Sequence, residues 1–276
     1  MALGGLKVRL LAGAALLVVA GPAMAADLSS DVSMKDAPAT ADALAITGSV
    51  DLTNDYIFRG ISQNRRDPAL QGELDLAYGM FYAGTFWSGV DFDAPGASPL
   101  LNSSVEIDLY AGIKPKLGDV TFDIGVITYN YPGSTVTHPS NFDPNYIEAK
   151  LGASITVLTD LALSGTAFFS PDYSGETGRT VVLEGTASKP ITKIGGVDWS
   201  ASGTVGYVAF EDSHPTGVPG VDYTYGNLGV TGTLGMLSLD LRWWDTSLSA
   251  GQNPCANGTN VFQCGNAFAA TFKFAF

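Results

Sequence analysis

The sequence predicts an all-β fold: a transmembrane, antiparallel, up-and-down β-barrel of about 12 strands. Three observations lead there. From Ile46 to Phe276 apolar and polar residues alternate with period 2, the pattern of strands that show one greasy and one polar face. The alternating segments run to about ten residues, which is what a tilted strand needs to cross a hydrocarbon core and more than the five or six of an average soluble strand. The connections are in turn short and long, as in barrels with tight turns on one side of a membrane and loops on the other. Composition agrees. Charged residues make up 15% of the chain, against roughly 25% in soluble domains, and no internal apolar run reaches the roughly 20 residues of a spanning helix.

The first 25 residues have the three parts of an export signal. Lys7 and Arg9 form a positive start, Leu10 to Ala20 an apolar stretch, and Ala23-Met24-Ala25 a small-x-small cleavage site. The alternative, a retained membrane anchor, lacks a following stop-transfer pattern, and no lipobox cysteine lies near the cleavage site. The expected organisation is a signal peptide over residues 1–25, a flexible periplasmic segment over 26–44, rich in Ala, Asp, Ser and Pro, and one barrel over 45–276.

Twelve strands are expected to begin near residues 46, 68, 81, 103, 119, 145, 160, 179, 197, 223, 236 and 265. In the second, Leu70, Gly72, Leu74 and Leu76 alternate with Gln71, Glu73 and Asp75; in the fourth, Val105, Ile107 and Leu109 alternate with Glu106 and Asp108. The seventh, eighth and eleventh repeat the pattern, the last with Leu237, Leu239, Leu241 and Trp243 against Ser238, Asp240 and Arg242. Tight connections contain Gly79-Met80, residues 114–118, Thr159-Asp160, residues 190–196 and Gly235. Long ones contain residues 60–67, 93–102, 132–143, 171–178, 211–221 and 246–263. An even strand number puts both ends of the barrel on the short-turn, periplasmic side. In the final strand Phe268, Ala270, Phe272, Phe274 and Phe276 face away from Ala269, Thr271, Lys273 and Ala275. Its alternating aromatics, with Phe272, Phe274 and Phe276 at the end, resemble the signal that outer-membrane barrels present to the barrel-assembly machinery.

Alternation does not say which face points outward, but energy does. A Lys or Arg facing lipid near the midplane costs about 2–4 kcal/mol, and an acid somewhat less. Several strands carry two charges, so the acids must face the lumen and the Leu, Val and Phe the lipid. The expected lumen-lining residues are Asp51, Asp55, Arg59, Glu73, Asp75, Glu106, Asp108, Asp123, Glu148, Lys150, Glu184, Asp240 and Arg242, with Lys273 as a further base. Tyr78, Phe169, Tyr207, Trp243 and Phe276 are the expected interfacial girdle.

The run Asn54-Asp55-Tyr56-Ile57-Phe58-Arg59-Gly60-Ile61-Ser62-Gln63 closes the first strand. With Asp55, Tyr56, Phe58, Arg59, Gly60, Ser62 and Gln63 in place, it resembles the signature near the start of the TorF-type porin family, also called Gcw_chp. The motif covers about ten residues, and length and aromatic terminus are similar too. The resemblance implies an outer-membrane pore without naming a solute. Physically, Gly60 permits a sharp bend. Arg59 offers a planar donor fork for a carboxylate in the barrel, such as Asp55 or Glu73. Tyr56 and Phe58 are expected at the outer interface. Two readings stay open: a folding and rim-packing element, or part of a pore constriction.

The formal charge of −13 becomes −15 once the signal's Lys7 and Arg9 are removed, which argues against nucleic acid as a partner. With carboxylates outnumbering bases, an open lumen would pass small hydrophilic solutes and favour cations; a salt-bridged plug is the other reading, since twelve strands fall between filled eight-stranded and open sixteen-stranded barrels. A structural or surface-interaction barrel in the outer membrane, contacting lipid and external partners, is the rival class. An outer-membrane hydrolase is the third: His138 and His214 are the chain's histidines, and Asp212-Ser213-His214 looks triad-like, but sequence neighbours seldom meet in triad geometry. No enzyme, cofactor or metal site is expected; the acids of Asp91-Phe92-Asp93 are a weak basis for external Ca²⁺. Cys255 and Cys264 flank a loop-like stretch and are expected to form a disulfide, which export permits. The solute and the oligomeric state are not encoded in any motif.

Overall fold

In the computed structural model the described residues are 43–91, 103–134, 143–211, 220–249 and 264–276. Twelve long strands form the wall: β1 Ala45–Thr53, β2 Ala69–Tyr78, β3 Phe81–Gly89, β4 Val105–Ile113, β5 Val120–Asn130, β6 Tyr146–Val157, β7 Leu161–Ser170, β8 Thr180–Ile194, β9 Val197–Phe210, β10 Tyr223–Leu234, β11 Leu237–Thr246 and β12 Ala267–Ala275. Every pairing between them is antiparallel and joins chain neighbours, and β1 pairs with β12 to close the ring. The sequence places each strand start within about two residues. Signal, cleavage site and residues 26–42 lie outside the described residues.

Closure is made by the aromatic last strand. Val50 lies opposite Phe274 and Leu52 opposite Phe272. Beyond them the Phe276 amide donates to the Gly48 carbonyl at 2.9 Å, and the Gly48 amide donates back to Phe276 at 3.0 Å. A closed ring leaves no unpaired strand edge, which is what makes a sheet compatible with lipid.

The two faces are partitioned as expected. Leu74, Leu109 and Leu239 are 43%, 55% and 41% exposed, while their chain neighbours Asp75, Asp108 and Asp240 are at 7%, 0% and 0%. Tyr78, Phe169, Tyr207, Trp243 and Phe276 all stand exposed near strand ends. The exterior is thus an apolar band with aromatic margins, and it is a membrane surface.

One connection differs from expectation. Of residues 190–196 only Gly195-Gly196, with φ of 61° and 87°, make the turn; β8 continues through Pro190 to Ile194. The register shifts between Pro190 and Thr192. Proline has no ladder donor, so it is tolerated at a bulge rather than ending the ribbon.

The partition predicts an asymmetric response to added charge. Leu109→Lys, at the middle of β4, should lower folding stability in lipid vesicles by about 2–4 kcal/mol, read by denaturant titration. An unchanged midpoint would show that Leu109 does not face lipid.

Candidate functional site: the lumen and its hairpin

The main chain leaves the wall after β1 because Asn54 imitates a peptide group. Its side-chain amide donates to the Phe268 carbonyl at 3.1 Å, and its carbonyl oxygen accepts from the Ala270 amide. The ladder with β12 is satisfied, so the backbone is free to turn inward. It then forms a small ribbon, Ile57–Phe58 against Ile61–Ser62. Arg59 and Gly60 make its two-residue tip with φ of 49° and 77°, the double positive φ that suits right-twisted hairpins. A side chain on Gly60 would meet Tyr225 and Thr246, so glycine serves both the turn and the close approach.

The ribbon is knitted to itself. Ser62 Oγ donates to Asp55 Oδ1 at 2.6 Å and accepts from the Arg66 amide at 2.9 Å. The Tyr56 amide donates to Asn64 Oδ1, and Gln63 Nε2 donates to the Ile61 carbonyl. The Gln63 carbonyl in turn accepts from the Asp91 amide. Burial pushes the Asp55 carboxyl above its ordinary range, opposed by the Ser62 hydrogen bond and by the charge of Arg66.

From this frame the motif crosses the lumen. Tyr56 Oη donates to Glu106 Oε1 on β4 at 2.5 Å. Arg59 grips Glu148 on β6 with two parallel bonds of 2.8 Å, from Nη1 to Oε1 and from Nη2 to Oε2. The guanidinium lies 4.7 Å from the Phe58 ring centre and 5.0 Å from that of Phe168 on β7. In a ring of twelve, β7 stands opposite β1, so the hairpin spans the barrel from wall to wall. Arg59 is 0% exposed.

This corrects two expectations. Arg59 binds Glu148, not Asp55 or Glu73, because the hairpin projects across the lumen instead of lying along its neighbouring strands. Tyr56 and Phe58 are not at the outer interface but buried inside, at 1% and 7%, because the whole segment folds inward. The wall has a matching inner lining of Ile127, Tyr129, Phe168, Val182, Val208 and Trp244. Sequence carried a signal for it: Phe168-Phe169 and Trp243-Trp244 are adjacent aromatics, so in a strand one of each pair must face inward.

The remaining acids also point inward, and most have partners. Asp240 binds Arg242 at 3.0 Å, and Arg242 further donates to Asn227 and Ser202. Its guanidinium lies over Gly229, where a Cβ would obstruct it. Lys273 joins Asp51 and Glu73 at 3.6 and 2.9 Å. Lys150 and Lys114 share Asp123 at 2.9 and 3.9 Å; Lys114 was not among the expected lumenal bases. Tyrosine hydroxyls serve the others: Tyr110 donates to Asp75 at 2.7 Å, Tyr82 to Asp123 at 2.6 Å, and Tyr225 to Glu184. Glu73, Asp123 and Lys114 keep partial exposure, so the short-turn half of the lumen is wetter than the half filled by the hairpin. Phe92, Asp93, His138, Asp212, Ser213, His214 and Cys255 lie outside the described residues, and with Cys255 the expected disulfide to Cys264.

Residues 37–274 match the family described as "Bacterial protein of unknown function (Gcw_chp)". The chain belongs to the Gcw_chp family. Among solved structures this Gcw_chp barrel is similar to the KdgM porin, with TM-score 0.51 and 8% identity over 85% of this chain and 99% of that one. The same values hold for the KdgM porin in complex with disordered oligogalacturonate. The NanC porin aligns with TM-score 0.47 and 10% identity, over 84% of this chain and 99% of that one. At such identities the likeness is one of fold. No curated protein sequence matches the chain.

The Arg59–Glu148 pair yields a prediction for the Gcw_chp hairpin. Arg59→Ala leaves a carboxylate buried without its counter-charge and should cost about 3–5 kcal/mol of stability. Arg59→Ala combined with Glu148→Gln should recover a large part of that loss in a double-mutant cycle. Additive losses would mean that the two side chains do not interact.

Proposed function

We propose that this chain is an outer-membrane porin of the TorF type, exported by residues 1–25 and inserted by the barrel-assembly machinery through Phe272, Phe274 and Phe276. It passes small hydrophilic solutes with a preference for cations. The observation that supports this reading is the closed twelve-stranded ring with an ionic interior and an apolar exterior. It shares its fold with a porin of nearly the same extent. Along the lumen acids outnumber bases, and among the described residues no ion pair joins Glu106 or Asp108 to a base. Cations are favoured by such an interior, and a polyanion such as the oligogalacturonate held by the KdgM porin is disfavoured.

One observation favours a second reading, a barrel without a standing pore. The hairpin and the wall at its level are withdrawn from solvent, with Arg59, Asp108 and Phe168 at 0–1% exposure. Conduction therefore depends on a path beside the hairpin or on its displacement. We assign no catalytic role to the chain; lipase and protease assays with His138 and His214 replaced singly test that.

Planar-bilayer recording separates the two readings. Discrete conductance steps with a cation-selective reversal potential are expected, and Glu106→Lys with Asp108→Lys should move that potential toward anions. Arg59→Ala should enlarge the step, because it releases the hairpin from β6. Silent bilayers with correctly folded protein, for both wild type and Arg59→Ala, would exclude the pore.

A further inference from the structure

We infer that Glu106 and Asp108 form a binding site for a divalent cation inside the barrel wall. Both stand on the inward face of β4, two residues apart, and they are 2% and 0% exposed. Glu148, the third acid near them, is neutralised by Arg59. Glu106 and Asp108 therefore form a pair of adjacent buried carboxyl groups without a base among the described residues.

Glu106 receives hydroxyl donors from Tyr56 and Tyr131. Asp108 receives none: both its carboxylate oxygens are buried without a hydrogen-bond partner. Its register partners explain this. They are Phe86 on β3, which has no donor, and Tyr129 on β5, whose hydroxyl is given to Glu148 at 3.1 Å. A fully buried carboxylate without donors is retained only if something compensates its charge. One divalent ion cancels both charges at once.

The donor set selects the ion. All available ligands are oxygens: two carboxylates and the Tyr56 and Tyr131 phenols beside them, a set suited to hard cations of the Ca²⁺ kind. No cluster of three His, Cys, Asp or Glu residues fit to hold a metal occurs among the described residues. The remaining positions fall to phenol and backbone oxygens, which Ca²⁺ accepts in a flexible coordination sphere. Asp91 differs in kind, since its carboxylate is open to water and lies 3.6 Å from the Arg65 guanidinium, so it needs no ion to neutralise it. The site does not require that the barrel conduct.

Tb³⁺ luminescence provides the test, because tyrosines lie beside the site to sensitise the ion. Refolded full chain, freed of divalent ions, is titrated with Tb³⁺ under tyrosine excitation, and Ca²⁺ is then added as competitor. Saturable emission that Ca²⁺ reverses is expected for wild type and for the surface control Asp91→Asn. It should be lost in Asp108→Asn and Glu106→Gln. Emission unchanged in Asp108→Asn overturns the site, and so does a wild type without Ca²⁺-reversible emission, in which case a shared proton neutralises the pair. Infrared difference spectra of the wild type guard against variants that do not fold. Ca²⁺ addition should shift the carboxylate stretching bands, and unshifted bands overturn the proposal.

Discussion

A ring of strands with lipid on its outside offers charged side chains one place to go, and the rest of this structure follows from that constraint. Because strand residues alternate strictly, each outward Leu or Phe commits its neighbours to the interior. The acids of β2, β4, β6, β8 and β11 are thus packed into a space of limited width. There they must find counter-charges or donors, since an unpaired ion in a poorly solvated interior is costly. The interior is accordingly a network of ion pairs and tyrosine–carboxylate bonds rather than a smooth polar tube.

The inward hairpin is the largest answer to that demand. It brings one arginine to Glu148 and one tyrosine to Glu106. It also supplies an apolar body, Ile57 and Phe58, for the inward-facing Ile127, Val182 and Val208 of the opposite half. Each motif residue has a separate physical task. Asp55 and Ser62 brace the ribbon, Arg59 and Gly60 turn it, Tyr56 and Arg59 dock it, and Gln63 ties it to the chain after β3. The two readings left open by the motif, packing element and constriction, describe the same object: the segment that packs the outer half of the lumen is the segment that narrows it.

Strand positions and facing were legible because period-2 alternation is local information, and inverting it would place charge in lipid. The end of β8 was placed too early, because the tight connection was expected to open at Pro190, where a bulge absorbs the proline instead. The site was less legible. Which carboxylate Arg59 meets depends on how far a hairpin reaches across a ring, and Glu148 lies 89 positions along the chain. Nothing local to Arg59 distinguishes Glu148 from Glu73. Composition likewise counts acids without showing that Asp108 is sealed from water while Glu73 is not. The adjacent aromatics Phe168-Phe169 and Trp243-Trp244 hold a local sign of the apolar inner lining, but only Phe169 and Trp243 were read from them, as girdle residues.

The account stands on the hairpin lying within the barrel, its tip at the far wall. Chemical cross-linking tests this most directly. In a background without Cys255 and Cys264, Arg59→Cys and Glu148→Cys are introduced together and the folded protein is treated with a short bismaleimide. An intramolecular link between positions 59 and 148, identified by mass spectrometry of the digest, is the predicted result. Efficient separate labelling of both thiols with no link, in protein that retains its barrel, would place the hairpin outside the lumen and contradict the account.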